Sequence, residues 1–386
     1  MEVSSTFPSR YGLLRAIAGL VCAIMICGAT ACADTGVPTN NNTANAPTSD
    51  VCDRVHIFYY DWYGAPPQQS GYIHWPQNGH RPPEDIASNY YPLLGPYSSS
   101  DPRVLRQHMA WIRSAHIGVI TVTWWGQGSY EDQRTPAVLD AAGIAGLKVN
   151  FHLEPYPGQT PKTVMADVAY ILEHYGKNPA FYRPAFLHER PMFYLFETLR
   201  HPAAEWRSAT DELHRGAEPV LLIAQTTDLK FITAGGFDGG YTYDVLTPFK
   251  NARFVAQWND HVAADFAAAG KLFIPSVGPG YWDDRAVANG GAVEPEMART
   301  RDHDAATTYD LEWNAAIRAK CPFVTITSFN EWHEGTQIEP ATSQSTSGDT
   351  YRAYSGGPMM YLESTAANVR KYAASIAEQH PTAPPK

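Results

Sequence analysis

From residue 54 onward, apolar runs rich in β-branched and aromatic residues alternate with stretches whose apolar positions recur every three to four residues. The runs are 54–62, 118–125, 148–156, 191–197, 219–225, 236–244, 271–278 and 323–332. Most lack the in–out alternation of a half-exposed sheet. They predict parallel strands buried on both faces. Among the helical stretches, 101–116 opens on Ser100-Asp101-Pro102, a helix-start signal, and places Leu105, Met109 and Ile112 on one face. Residues 135–146, 161–175, 202–216, 251–270, 305–320 and 358–379 read the same way, and 228–235 suffices for a single turn. Eight strands with intervening helices predict an α/β fold, a (β/α)8 TIM barrel with long loops at its C-terminal mouth. A doubly wound open sheet is the alternative.

Three connections are long: 63–100, 282–304 and 333–357. Each follows a strand end and precedes a helix, so in a barrel all three crowd the mouth where active sites form. The first is dense in Trp, Tyr and His, which favours a binding role over a tolerated insertion.

Upstream of the barrel, residues 16–29 (AIAGLVCAIMICGA) form an uncharged run preceded by Arg10 and Arg15. The run is shorter than the roughly 20 residues of a membrane span and ends in small residues, so 1–31 reads as a signal peptide. Cys32 follows Ala-Thr-Ala, an imperfect lipoprotein cleavage box, and is a candidate for a lipid anchor. Plain secretion and an uncleaved anchor are the alternatives. Residues 32–50 hold almost no large apolar side chain and read as a disordered tether, leaving 51–386 as the folded domain. An extracytoplasmic protein, secreted or lipid-anchored at the cell envelope, is expected.

The net charge is −10, and removing residues 1–31 takes away one net positive charge, leaving −11. So acidic a chain, without a basic cluster, repels phosphate backbones and argues against nucleic-acid binding. The cysteines outside the leader, Cys32, Cys52 and Cys321, are too scattered for a metal cluster or a disulfide framework. No cofactor is expected, and the acidic surface is compatible with a monomer.

The chemistry concentrates at strand ends. The third strand closes on Phe151-His152-Leu153-Glu154-Pro155-Tyr156, the second on Thr123-Trp124-Trp125-Gly126, and the eighth runs into Ser328-Phe329-Asn330-Glu331-Trp332-His333-Glu334-Gly335-Thr336-Gln337-Ile338-Glu339. Carboxylates beside aromatic platforms suit glycosidic-bond cleavage: one carboxyl protonates the leaving oxygen, another stays ionised, and apolar sugar faces stack on rings. Other chemistries fail on spacing. Gln337 stands where a second zinc histidine would follow His333-Glu334, and no G-x-S-x-G elbow or phosphate loop is present.

The block 328–339 resembles the signature of glycoside hydrolase family 99, the endo-α-1,2-mannosidases. The resemblance continues, in order, in Phe58-Tyr59-Tyr60-Asp61-Trp62-Tyr63-Gly64, Tyr72-Ile73-His74-Trp75, 151–156, 236–243 and 274–281. It implies a (β/α)8 barrel that cleaves inside a mannose-containing glycan at an α-1,2 bond, with retention and without a metal. It further implies a mechanism in which one carboxylate deprotonates the sugar 2-hydroxyl to form a 1,2-anhydro sugar while another acts as general acid and base. The matching positions are Glu331 for the base and Glu334 for the acid/base. Glu154 is implied as a substrate ligand near the reacting mannose, and Tyr60, His74, Tyr241, Tyr243 and Asn330 are further candidate contacts. Trp125 matches a position that carries Trp in bacterial relatives and Tyr in animal ones, which points to mannan-type glycans over glucosylated ones.

The spacing of Glu331 and Glu334 bears on this separately. Two acids from one turn can approach one flank of the bond, whereas double displacement takes carboxyls ~5–5.5 Å apart on opposite sides. A double displacement with Glu154 as nucleophile stays open, as does a catalytically silent glycan-binding lipoprotein on the same barrel.

Overall fold

In a computed structural model of the chain, residues 50–243, 255, 257–287 and 306–379 are described. The leader and tether readings, with Cys32, lie outside these residues, as do 288–304 of the seventh connection and residues 251–254 and 256 of the predicted helix 251–270.

The strands are β1 (Cys52–Tyr59), β2 (Ile117–Trp124), β3 (Lys148–Leu153), β4 (Met192–Leu195), β5 (Leu221–Gln225), β6 (Gly239–Tyr241), β7 (Leu272–Ile274), β8 (Ser276–Val277) and β9 (Val324–Ile326). They form one parallel sheet in the order β7-β6-β5-β4-β3-β2-β1-β9-β8. Its two ends, β7 and β8, are consecutive in the chain and separated only by Pro275. Proline has no N–H to give to a ladder, so the predicted run 271–278 is split at that residue. The Pro275 carbonyl still accepts the Thr325 N–H at 3.0 Å, which carries the seam across. The result is a nearly closed (β/α)8 barrel, as the pattern predicts.

Helices α1 (Pro102–Ser114), α2 (Thr135–Ile144), α3 (Pro161–Tyr175), α4 (Ala203–Arg215), α5 (Leu229–Gly235), α6 (Ala263–Ala268), α7 (Ala306–Arg318) and α8 (Met360–Gln379) follow the strands. Their starts obey local chemistry. Asp101 caps α1 through the Arg103 N–H with Pro102 at the first position, and Thr160 and Thr163 form a capping box at α3. Asp228 caps α5, so the weakly patterned 228–235 stretch is a short helix in its own right. No helix among the described residues is long and apolar enough to cross a membrane.

Several strands end earlier than their apolar runs. The eighth run, 323–332, is strand only over Val324–Ile326, because Ser328 leaves the ladder: its N–H donates to the Thr336 carbonyl and its hydroxyl bonds that of Thr336. Residues 328–338 are thereby closed into a compact loop at the mouth. Behind it the fully buried Glu339 accepts from Tyr97 Oη at 2.7 Å and Trp332 Nε1 at 2.9 Å, and pairs with His108 Nε2 at 3.1 Å. Tyr91–Pro92 pairs antiparallel with Ala341–Thr342 and ties the first long connection to this loop.

Replacing Glu339 with Ala would leave three buried polar groups without their acceptor, a loss on the order of 3–5 kcal/mol. Chemical denaturation should show that loss together with reduced activity. A loss below ~1 kcal/mol would mean that the loop is held by other contacts.

Candidate active site

The mouth is built from the ends of β1, β2, β3 and β6 and from the 328–338 loop. Leaving β1, Tyr60 is aligned by an amide clamp: Asn330 Oδ1 accepts its N–H at 2.7 Å and Asn330 Nδ2 donates to its carbonyl at 2.8 Å. Asn330 Nδ2 also reaches Tyr97 Oη at 3.1 Å, and the residue is fully buried. Its side chain lies behind the wall, committed to the backbone, rather than on the open surface where a substrate contact is expected. Tyr241 lies similarly deep, fully buried with its hydroxyl on His152 Nε2 at 2.6 Å.

Tyr60 and Tyr243 meet hydroxyl to hydroxyl in a short hydrogen bond. Tyr243 has φ 51°, a left-handed conformation that costs a bulky side chain free energy. Ser276 Oγ, itself bonded to Thr325 Oγ1, accepts the Tyr243 N–H at 2.8 Å and holds it there. The Tyr243 ring then stacks on His152, 5.5 Å away at 19°.

Beside this pair runs an aromatic platform. Trp62 stacks on Trp125 at 5.2 Å and 21° and on His74 at 4.5 Å and 17°, with Tyr60 and His333 at its edges. Trp125 and His74 are sequence candidates for substrate contacts; Trp62 and His333 carry no such signal, although Trp62 alternates with Tyr60 on the same sequence block.

Three carboxylates approach the tyrosine pair. Glu154 leaves β3 with its N–H on the Trp124 carbonyl and its Oε1 2.7 Å from His152 Nδ1, a contact out of line with the ring N–H. Glu331 is almost wholly buried. Its backbone N–H donates to Ser328 Oγ at 2.8 Å, and its Oε1 accepts the His333 N–H at 3.0 Å. Glu334 is half-buried, more open to the mouth. Its carbonyl accepts the Trp282 N–H at 2.6 Å, and next to it Gly335 has φ 64°. A Cβ at Gly335 would stand 2.9 Å from the Trp282 carbonyl oxygen, so both dihedral and space require glycine there. Among the described residues no group of three or more His, Cys, Asp or Glu could hold a metal ion.

The sequence profile described as glycosyl hydrolase family 99 matches residues 50–374. The chain belongs to that family. A glycoprotein endo-α-1,2-mannosidase of Xenopus laevis is 36% identical over 380 residues, spanning 86% of this chain and 83% of that protein. An endo-α-1,2-mannosidase-like protein of Homo sapiens is 36% identical over 353 residues, 82% of this chain and 75% of that one. The solved GH99 endo-α-mannosidase of Bacteroides thetaiotaomicron, in complex with bis-tris-propane, matches with a TM-score of 0.76 at 37% identity, covering 85% of this chain and 99% of that one. The protein is therefore a glycoside hydrolase, endo-acting on mannose-containing glycans.

In this hydrolase the surroundings of Glu331 perturb its carboxyl strongly. Burial, then the neighbouring Glu334 and Glu154 charges, push the Glu331 carboxyl well above the usual carboxylate range, against the pull of the His333 and Glu334 backbone N–H groups. Burial likewise lowers His74 to about 4 and His333 to about 3, so both imidazoles are neutral at pH 7. His333 Nε2 faces the His74 carbonyl at 3.1 Å and must donate to it, which leaves a lone pair on Nδ1. The 3.6 Å separation of that Nδ1 from Glu331 Oε1 is thus no charge pair. Tyr281, added by the 281–287 segment, donates to Asp283 at 3.0 Å and is pushed up by burial and then by Glu334.

A carboxyl whose folded pKa is raised adds stability in full below its unfolded value of about 4.3 and loses that contribution as pH rises. Glu331→Gln does not titrate. Its melting temperature relative to wild type should therefore climb as pH is raised from about 4 to about 8. A gap independent of pH would show that Glu331 ionises like an ordinary carboxyl.

Proposed function

We propose that the enzyme cleaves internal α-1,2-mannosidic bonds in mannan or high-mannose glycans with retention, through a 1,2-anhydro sugar. The observation that carries this reading is the inequality of two carboxyls on one loop. Glu331 is buried with a raised pKa, and Glu334 is more open. Once it has given up its proton, a buried carboxyl of raised pKa is a stronger base than an ordinary carboxylate, suited to taking the proton of a sugar hydroxyl that has itself left water.

In the first step Glu331 takes the 2-hydroxyl proton and O2 attacks C1. The C1–O bond to the leaving sugar breaks, and its oxygen takes the proton of Glu334. In the second, Glu334 removes a proton from water, whose oxygen opens the epoxide at C1, and O2 recovers its proton from Glu331. Two inversions give net retention. The Trp62–Trp125–His74 platform supplies a stacking face for the sugars. Glu154 and the Tyr60–Tyr243 pair supply hydroxyl partners, and Asn330 and Tyr241 serve as positioning residues behind them. Trp125 supports a preference for mannose over glucose one step beyond the cleaved residue. Glu154 as nucleophile of a double displacement is the second reading, favoured by its place at the end of β3, on a different segment from the loop that carries Glu334.

Incubated with Man-α-1,3-Man-α-1,2-Man-OMe and its Glc-α-1,3 counterpart, the enzyme should release an intact disaccharide, faster from the first, seen by mass spectrometry. Glu334→Gln should lower turnover by ~10²–10⁴, and near-wild-type turnover in it would remove Glu334 from the acid role. Glu331→Gln should bind substrate and fail to turn it over. A covalent mannosyl–Glu154 adduct trapped by an activated fluorosugar would replace the anhydro route by double displacement.

We further infer that residues 1–31 are a leader and that Cys32 anchors the mature enzyme at the outer face of the envelope. In the native host, Cys32→Ser should move the enzyme from the membrane to the soluble extracytoplasmic fraction. Unchanged partitioning would exclude the anchor.

A further inference from the structure

Trp125, half-buried in the platform, is the first residue beyond β2, and the chain on either side of it is pinned from outside the barrel. Before it, Trp124 points the other way, as alternation along a strand requires, and packs against α3 with its ring 6.1 Å from that of Tyr170. After it, Gly126 has φ 106°, a conformation that favours glycine, and a Cβ there would stand 3.5 Å from the Tyr156 ring. Gln127 Nε2 and Tyr156 Oη both donate to Asp167 of α3, at 3.1 and 2.6 Å.

The stronger anchor is Asp132, only 4% exposed. Its Oδ1 accepts from Trp124 Nε1 at 2.9 Å and from Tyr175 Oη at 2.6 Å. Its Oδ2 accepts from the Gly128 N–H at 2.8 Å and from Tyr170 Oη at 2.9 Å. A carboxylate offers about four lone-pair sites, and donors take all of them here. Burial opposes the charge, but the Tyr175 hydroxyl, the Gly128 N–H, the Trp124 indole and the Tyr170 hydroxyl outweigh it and hold Asp132 below the usual carboxylate range.

No step of the reaction uses this group, and what it joins shows what it can do. Trp124 is the chain neighbour of Trp125, Gly128 belongs to the turn that follows, and Tyr170 and Tyr175 belong to α3. The carboxylate thus ties the backbone under the platform to a helix. The Trp125 ring stacks on Trp62 at 5.2 Å and 21° only while that backbone is held, and a shift of about 1 Å far from the chemistry can cost a bound substrate its alignment. We propose that Asp132 is a positioning residue for substrate binding, which through the Trp124 indole and the 126–128 turn sets the Trp125 ring for stacking on the glycan. The proposal rests on the reading of Trp125 as a sugar platform.

The test is a double-mutant cycle on kcat and KM with Man-α-1,3-Man-α-1,2-Man-OMe. Asp132→Asn keeps the shape but turns an amide N–H2 toward two donors. It should lower kcat/KM about fivefold, mostly through KM. Trp125→Ala should lower kcat/KM as well. Adding Asp132→Asn to it should then change the value by less than about twofold, because the ring that Asp132 sets is gone. A loss from Asp132→Asn that persists in full without Trp125 would overturn the proposal, since the carboxylate would then serve the fold alone. Wild-type KM in Asp132→Asn would overturn it too. Tyr170→Phe removes one donor, keeps the ring and takes the place of Asp132→Asn if that variant does not fold. Its smaller loss should likewise vanish without Trp125, and a loss that remains counts against the role in the same way. Wild-type kinetics in Trp125→Ala would strike at the platform reading itself, and the positioning role would fall with it.

Discussion

Removing Glu331 from water beside two other carboxylates costs folding free energy, and much of the surrounding structure can be understood as meeting that cost. A carboxyl so placed keeps its proton or is stabilised by fixed dipoles. The loop supplies such a dipole in the His333 N–H at 3.0 Å from Oε1, while Ser328 Oγ takes up the backbone N–H of Glu331 itself. Neither is possible unless the chain leaves the ladder after Ile326 and doubles back, which the Ser328–Thr336 bonds accomplish. The same fold-back brings Glu334 nearer to solvent than Glu331, so one short segment holds two acids in different environments.

The loop is held from outside the barrel as well as from within. Glu339 gathers Tyr97, Trp332 and His108, which come from the first long connection, the loop itself and α1. Tyr59 adds its hydroxyl to His108 Nδ1 at 2.9 Å, so β1 shares in the network. A buried carboxylate with three partners specifies one arrangement of these segments more sharply than apolar packing would, because any other leaves polar groups unpaired.

Much of this was legible in the chain, and the rest was hidden for definite reasons. Parallel strands and helices announce themselves by local periodicity, so the barrel and the order of its elements could be read directly. Strand ends could not, since aromatic residues such as Phe329 and Trp332 continue the apolar run while packing in a loop. The carboxylates were visible because motif and strand end coincide. The clamp of Asn330 on Tyr60 joins residues 270 positions apart, and the pairing of His108 with Glu339 spans 231. Such partners carry no local signal. In the sequence His333 reads only as half of a broken zinc motif, yet its backbone N–H and neutral ring bear directly on Glu331.

The placement of the acids also constrains how the site can work. In a barrel whose catalytic groups come from opposite strands, small shifts of one strand change the gap across the sugar. Here Glu331 and Glu334 are three residues apart on a loop fixed at Ser328, at the Trp282–Glu334 bond and at Glu339, so their relative position belongs to that loop. Glu154 instead follows β3 directly and is set by its backbone N–H on the Trp124 carbonyl, with its carboxylate beside the His152 ring. Motions of the loop would then carry Glu331 and Glu334 together past a stationary Glu154 and platform. A mechanism using Glu331 with Glu334 tolerates such motion better than one using Glu154 with Glu334, whose separation it would alter. That difference in sensitivity to geometry, rather than proximity alone, favours the pair on the loop.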